Sequence, residues 1–236
     1  MPMYKIADLL VQMDTFGRTE KQAASYMVNT ERVPDLIISP EFVDRYKKGP
    51  NMTDDECEYL NTGSVYYRRL IHFNGIMLHA SCVVVDGIAY LFSAPSGTGK
   101  STHTALWLKL FGDRAYILND DKPAIRVLED GIYVYGTPWS GKHNINRNAK
   151  AKFGGICFVN RAPDNSICKM EYNEAFYSIM NQTLRSKDPI ALAMTMETIG
   201  QIVSTGRVYN LFCNMNISAA ELSYQTMCEK RISYED

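Results

Sequence analysis

A hairpin signal runs straight into a glycine-rich loop at Ser81–Thr104, and this adjacency constrains the fold more than any other feature of the chain. In "SCVVVDGIAYLFSAPSGTGKSTHT", two β-rich runs flank Asp86–Gly87, a pair suited to two-residue turns with positive φ at both positions. The second run, Ile88 to Phe92, feeds directly into "SAPSGTGKST". A phosphate-binding loop of this composition ordinarily follows a strand of a parallel sheet. A hairpin at this place predicts a mixed, antiparallel-rich sheet instead.

The loop has a physical purpose. Ala94-Pro95-Ser96-Gly97-Thr98-Gly99-Lys100-Ser101 has P-loop spacing, with alanine in place of the first glycine. Glycines let successive backbone N–H groups face an anion at close range. Ser101 to Phe111 reads as a helix whose positive N-terminus points at the same anion. Ser96, Gly97, Thr98, Gly99, Lys100, Ser101 and Thr102 are therefore the expected phosphate-binding residues. Lys100 would reach the β and γ phosphates, and Ser101 would hold Mg²⁺.

Asp120-Asp121 stands 20 residues after Lys100, where "AYILNDD" reads as a strand ending in two acids. Such a pair binds Mg²⁺ directly or through water, or accepts a proton from an attacking hydroxyl. The bland alternative is an Asx turn or a solvated strand end. Farther on, no acid occurs from Ile132 through Ala162, while Lys142, Arg147, Lys150, Lys152, Arg161 and His143 do. This stretch is either a solvated basic loop or a clamp for an anion. Lys142, flanked by glycine in a turn, is its main candidate, Arg147 a weaker one, and Trp139 either stacks on a ligand or packs.

Elsewhere the chain reads as hairpins followed by helices. "YKIADLLVQM" and "DLIISP" are expected strands, and Thr53 is an expected N-cap ahead of Asp54, Asp55 and Glu56. That helix is expected to run toward Phe73, weakened by Gly63. "AIRVLEDGIYVYG" and "GICFVNRAPDNSICKMEY" read as two more hairpins, the latter turning around Pro163-Asp164-Asn165. "NEAFYSIMNQTL" and "DPIALAMTMETIGQIVS" are expected helices, "RVYNLFCN" a last strand, and "SAAELSYQTMCEKR" a helix with a Ser218/Glu221 capping box. A soft boundary near residues 49–52 divides a small strand-rich cap or sheet extension, 1–52, from a catalytic domain, 53–236.

Composition bounds the function classes. With 236 residues, 46% hydrophobic and 22% charged, the chain supports one large core. A net charge of −1 argues against a globally basic nucleic-acid binder. No apolar run is long enough to span a bilayer, and the N-terminus lacks a signal-peptide pattern. The six cysteines form no C-x-x-C pair; Cys82, Cys157 and Cys213 sit in apolar strand-like runs, and a reducing, cytoplasmic setting is expected.

With these residues in view, "LHAS…VVVDG…APSGTGKST…NDDKPAI" resembles the C-terminal catalytic domain of HPr kinase/phosphorylase, in the phosphoenolpyruvate carboxykinase-like superfamily of P-loop proteins. The resemblance is strongest from His79 to Val127 and extends loosely over half the chain. It implies a P-loop after an antiparallel hairpin, on mixed sheets with packed helices. It also gives His79, which nothing local marks, the position of an active-site histidine. Lys100 matches the P-loop lysine and Ser101 the Mg²⁺-binding hydroxyl. Asp120 matches the acid that acts as base toward an acceptor hydroxyl, and Asp121 the second acid, nearer to metal or structural work. Thr102 stands where the family usually has glutamate, Ala80 where it has glycine, and Ala94 replaces the first loop glycine. These departures leave the phosphorylase reaction and the HPr acceptor open.

The expected function is that of a Mg²⁺- and ATP-dependent kinase transferring the γ-phosphate to a hydroxyl, such as a serine of a small protein, a peptide or a free amino acid. Asp120, Lys100, His79 and Lys142 would carry the chemistry, with Ser101 and Asp121 on the metal. No nucleic-acid or membrane partner is expected, and the resemblance implies homo-oligomers in many relatives. Two other readings stand beside it: carboxykinase-type transfer to a small carboxylate, and a non-catalytic nucleotide sensor.

Overall fold

The first apolar run, Tyr4 to Met13, folds as a hairpin and not as one strand. β1 (Met3–Ile6) and β2 (Leu9–Met13) pair antiparallel, with Ile6 opposite Leu9. Ala7 and Asp8 between them take φ values of 51° and 63°, the turn whose twist matches the strands. Neither residue is glycine, so the turn leaves no strong signal in the sequence. After α1 (Gly17–Ala23), β3 (Leu36–Ile38) adds parallel to β2 and completes a three-stranded sheet. The computed structural model describes residues 1–39, 52–95, 97–141 and 143–228; two of the expected site residues, Ser96 and Lys142, lie outside the described residues.

Helix α2 (Asp54–Leu70) begins at Thr53. The Thr53 hydroxyl accepts from the Glu56 amide at 3.1 Å, and the Glu56 carboxylate accepts from the Thr53 amide at 3.1 Å. Gly63 inside this helix has a packing reason: a Cβ there would stand 2.8 Å from Trp139 Cδ1. Trp139 itself is buried, stacks on Tyr66 at 4.9 Å between ring centroids, and donates to the Thr62 hydroxyl at 3.1 Å. It packs, and it belongs to the core that α2 shares with the N-terminal sheet and with Ala124 and Tyr135.

The main sheet is built from β4 (Gly75–Met77), β5 (Ala80–Val85), β6 (Ile88–Ser93), β7 (Ala115–Asp121), β8 (Ala124–Leu128), β9 (Gly131–Tyr135), β10 (Lys150–Arg161), β11 (Ser166–Lys169) and β12 (Val208–Cys213). Asp86 and Gly87, at φ 49° and 81°, join β5 to β6 as expected, with Val85 opposite Ile88. The order is β4-β8-β9-β10-β6-β5-β7, and at β10 the sheet forks. Residues 150–152 of β10 pair with β9, whereas residues 156–161 on the far side of a bulge pair with β12. Gly154 sits at the bend, where a Cβ would meet Ile88 Cγ2 at 2.6 Å.

The fork corrects one expectation. The reversal around Pro163–Asn165 does not make a hairpin: β12 lies between β10 and β11, parallel to the first and antiparallel to the second. A turn signal reports that the chain reverses, not which strand fills the neighbouring place. The strand leading into the glycine-rich loop has two different neighbours. β5 flanks β6 antiparallel, while β10 and then β12 extend from it in parallel.

Alternation along β5 and β6 separates two cores. Cys82, Val84, Ala89 and Leu91 face the layer of α4 (Tyr172–Gln182) and α5 (Pro189–Ser204). Val83, Val85, Tyr90 and Phe92 face the layer of α3 (Lys100–Phe111) and α6 (Ile217–Met227), with Trp107 at its centre. The expected capping box of α6 does not form. The helix starts two residues earlier, with Asn216 as its N-cap, and the Ser218 hydroxyl accepts instead from Asn165 Nδ2 at 3.0 Å. All six cysteines are free thiols. No helix among the described residues is long and apolar enough to cross a membrane.

Glu58 of α2 is a buried carboxylic acid. One oxygen accepts from the Thr19 hydroxyl, and Oε1 has no partner among the described residues. Burial pushes its carboxyl up to about 7. A raised folded-state value means that the stability contribution is complete below the ordinary carboxylate range and is lost as pH rises through about 7. Glu58→Gln keeps an acceptor for Thr19 and removes the charge. It is expected to stabilise the fold by about 2 kcal/mol more near pH 8 than near pH 5, read by urea unfolding. An equal effect at both pH values would contradict a buried, titrating Glu58.

Candidate active site

The loop between β6 and α3 takes the conformations its glycines permit. Gly97 and Gly99 have φ of 79° and 123°, and a Cβ at either would meet nothing within 4 Å. Backbone geometry, not space, requires glycine here. Gly99 is the N-cap of α3 and provides no side-chain cap, and the first turn holds no acid. The helix N-terminus is left facing the loop, which is the arrangement that favours an anion.

Lys100 folds back over the loop, donating from Nζ to the Ala94 carbonyl at 2.8 Å. Burial lowers its pKa, against the opposing pull of Asp121 and Asp120. Ser101 donates to Asp120, 3.0 Å from Oδ1 and 3.3 Å from Oδ2. One turn on, the Thr104 hydroxyl meets the buried Ser81 hydroxyl at 3.1 Å and ties α3 to β5. Thr102 is exposed on the first turn of α3.

The two acids end β7, and β5 carries Ser81 opposite Asp120 and Ala80 opposite Asp121. Asn119 positions them. It is fully buried, its Oδ1 accepts from the amides of Asp121 at 3.1 Å and Lys122 at 2.8 Å, and its Nδ2 donates to the Thr137 carbonyl at 2.9 Å. The two carboxylates then diverge. Asp120 contacts Ser101. Asp121 faces His79, with Oδ1 3.4 Å from Nε2, and its Oδ2 accepts from Lys122 Nζ. Burial works to raise the Asp121 carboxyl, but the bonds from His79 and Lys122 outweigh it and bring it down to about 2.

His79 is held from three sides. Its Nδ1 lies 3.1 Å from Gln182 Oε1, its amide donates to the Gln182 carbonyl at 2.8 Å, and its own carbonyl accepts from the Ser93 hydroxyl at 2.9 Å. The structure thus gathers Lys100, Ser101, Asp120, Asp121 and His79 at the carboxyl ends of β6 and β7, as two side-chain pairs, Ser101 with Asp120 and His79 with Asp121, and a lysine turned to the Ala94 carbonyl.

The basic stretch divides. Arg147 lies over the Tyr116 ring at 4.5 Å, and Lys150 pairs with Asp8 at 2.8 Å, so both serve packing. Arg161, at the end of β10, reaches the loop instead. It donates from Nε to the Thr98 carbonyl at 3.1 Å and from Nη2 to the Gly97 carbonyl. Beside that clamp lies a pocket of about 400 Å³, between the first turns of α3 and the carboxyl ends of the parallel strands β10 and β12. Thr98, Thr102 and Leu106 form one wall, and Asn160, Ala162 and Met215 line the other.

No family model and no curated protein matches the chain. Among solved structures, the Hpr(Ser) kinase/phosphatase from Coxiella burnetii aligns with it over 64% of this chain and 96% of that one, at a TM-score of 0.35 and 8% identity. A likeness that faint assigns no activity.

Asn119 and Gln182 are the site residues that sequence reasoning missed, and Arg161 was named there only as one base of the acid-free stretch. Asn119 carried a signal: an asparagine at a strand end, just ahead of residues whose amides need partners. Gln182 carried none, because it arrives from a distant element, and the acid-free stretch did not single out Arg161 from its other bases.

Proposed function

We propose that this chain is an ATP-dependent kinase that transfers a phosphoryl group to a hydroxyl. The observation that carries the reading is the Ser101–Asp120 contact beneath an uncapped, glycine-led helix N-terminus. A phosphate site, a hydroxyl ligand for a cation and a carboxylate base are thereby within one side chain of each other. The sequence resemblance from His79 to Val127 points the same way.

In this reading the triphosphate lies on the loop amides and the α3 N-terminus, and Lys100 exchanges the Ala94 carbonyl for a phosphate oxygen. The pocket bounded by Leu106, Ala162 and Met215 takes the nucleoside, at the carboxyl ends of parallel strands where ligands bind in such sheets. The oxygen donors Ser101 and Asp120, with Asp121 next to them, suit a hard cation. Mg²⁺ held there with the phosphate oxygens would neutralise charge on the β and γ phosphates. Both Asp121 oxygens already have partners, Oδ1 facing His79 Nε2 and Oδ2 the Lys122 ammonium, so this carboxylate acts as a fixed anion that orients His79 and Lys122. Asp120 is the acid left to accept the proton of the incoming hydroxyl.

Nucleotide titration of the full chain tests the first step. ATP with Mg²⁺ is expected to bind one-to-one and to stabilise the fold by about 2.7 kcal/mol at a hundredfold excess over Kd. Absence of binding by ATP or GTP at millimolar concentration would overturn the reading.

A further inference from the structure

A second cavity, of about 380 Å³, opens beside Asp121 and Lys122 at the end of β7. Asp121 and Lys122 form one wall, Tyr59 and Glu56 of α2 the opposite one, and Arg18 of α1 and Gly141 close it. The nucleotide reading uses none of this lining except Asp121.

Arg18 is the unusual member. The fold carries it from the N-terminal segment to a position over the Tyr59 ring, with its guanidinium carbon 3.8 Å from the centroid. It donates from Nη2 to the Gly141 carbonyl, and its own amide donates to Asp55 Oδ1 at 2.5 Å. The Gly141 amide in turn donates to the Tyr59 hydroxyl at 3.0 Å. Among the described residues no carboxylate pairs with the Arg18 side chain, whereas Lys122 is paired with Asp121 and Glu56 is engaged by Thr53. A fixed, half-buried guanidinium with spare N–H donors, beside a Tyr59 hydroxyl that still has a proton to give, is the donor set for a planar carboxylate.

We infer that this cavity is the acceptor subsite and that Arg18 recognises a carboxylate on the acceptor. The inference rests on the kinase reading above. The acceptor class is a compound with a hydroxyl a few bonds from a carboxylate: a free hydroxy amino acid, or the C-terminal residue of a peptide. With the carboxylate on Arg18, the hydroxyl lies toward the end of β7, where Asp120 meets Ser101. The hydroxyl oxygen forms a bond to the γ-phosphorus as the bond from γ-phosphorus to the bridging oxygen breaks. ADP leaves with that electron pair, and the hydroxyl proton passes to Asp120. Arg18 binds and orients; it takes no proton.

The experiment compares acceptors and variants with the full chain, ATP and Mg²⁺. The acceptors are free L-serine, L-serine amide, a peptide ending in a serine carboxylate, its C-terminal amide, and a peptide with an internal serine. A carboxylate acceptor is expected to be preferred over its amide by about 10- to 100-fold in kcat/KM. Arg18→Gln is expected to raise the acceptor KM by a similar factor, to leave the KM for ATP within twofold, and to leave the amides unaffected, while Arg18→Lys recovers part of the loss. The free amino acid against the C-terminal peptide then decides the source of the carboxylate. Equal use of acid and amide, or transfer to the internal serine alone, would overturn the assignment and leave the kinase reading standing. A rise in the KM for ATP with Arg18→Gln would place the guanidinium on the phosphates and likewise overturn it. Transfer to no acceptor at all would overturn the kinase reading, and this assignment with it.

Discussion

Asp120→Asn is expected to lower the rate of phosphoryl transfer by about 10²- to 10⁴-fold, with ATP affinity changed by no more than a few-fold. The substitution is close to isosteric, and the asparagine Oδ1 still accepts from the Ser101 hydroxyl that now donates to the carboxylate at 3.0 Å. The loop, the α3 N-terminus and the nucleoside pocket remain as they are. What disappears is the negative charge: the asparagine oxygen can still serve a hard cation, but it no longer takes the hydroxyl proton. The neighbouring acid cannot replace it: Asp121 is held by His79 and Lys122 with its carboxyl down at about 2, and so weak a base accepts a proton poorly near neutral pH. For the same reason Asp121 contributes no ionisation to the rate profile at any pH well above that value. Pre-steady-state transfer with the variant, beside an ATP titration, separates the two effects. An unchanged transfer rate would remove Asp120 from the role of base.

Lys100→Ala is expected to act earlier and more broadly. A cation on the transferring phosphate contributes both to binding and to stabilising the transition state, and its loss is expected to cost about 10²- to 10³-fold in kcat/KM. The cost to the fold is small. Among the described residues the Lys100 ammonium of the free protein bonds only the Ala94 carbonyl, so its removal forfeits one hydrogen bond there, worth about 1 kcal/mol. Lys100→Arg is expected to restore little, because a planar fork on this short, glycine-bounded loop cannot place a compact charge between two phosphates. Thermal unfolding of the variants without nucleotide checks that the losses are chemical. If Lys100→Ala unfolds far below the wild-type temperature, the activity loss says nothing about phosphate binding.

Much of the site was legible because it is local. The Asp86–Gly87 turn, the glycines at positive φ, the start of α3 and the two acids at the end of β7 lie within one stretch of about forty residues. Each is specified by turn chemistry, helix capping or alternation. The Thr53 cap was legible for the same reason. The rest depends on which strand lies beside which. Nothing in the run from Gly154 to Tyr172 shows that β12 inserts between β10 and β11, because the pairing is made with residues more than forty positions away. That insertion extends the parallel run from β6 and β10 by one strand and supplies the Cys213–Met215 side of the pocket beside Arg161. Arg18 reaches Gly141, and Gln182 reaches His79, across more than a hundred residues. The Ala7–Asp8 turn was missed for a different reason: it adopts glycine's conformation without glycine, at a cost that the buried faces of β1 and β2 outweigh.

The most direct measurement follows the γ-phosphate of labelled ATP. The full chain with Mg²⁺ is incubated with serine, serine peptides and small phosphocarrier proteins, and labelled product and ADP are counted together. Phosphoryl transfer at this site predicts a labelled phosphoester formed one-to-one with ADP, dependent on both Lys100 and Asp120. Tight ATP binding with neither labelled product nor ADP across these acceptors would contradict it and leave a nucleotide-binding sensor. Phosphoenolpyruvate formed from oxaloacetate in place of a phosphoester would contradict it in favour of a carboxykinase.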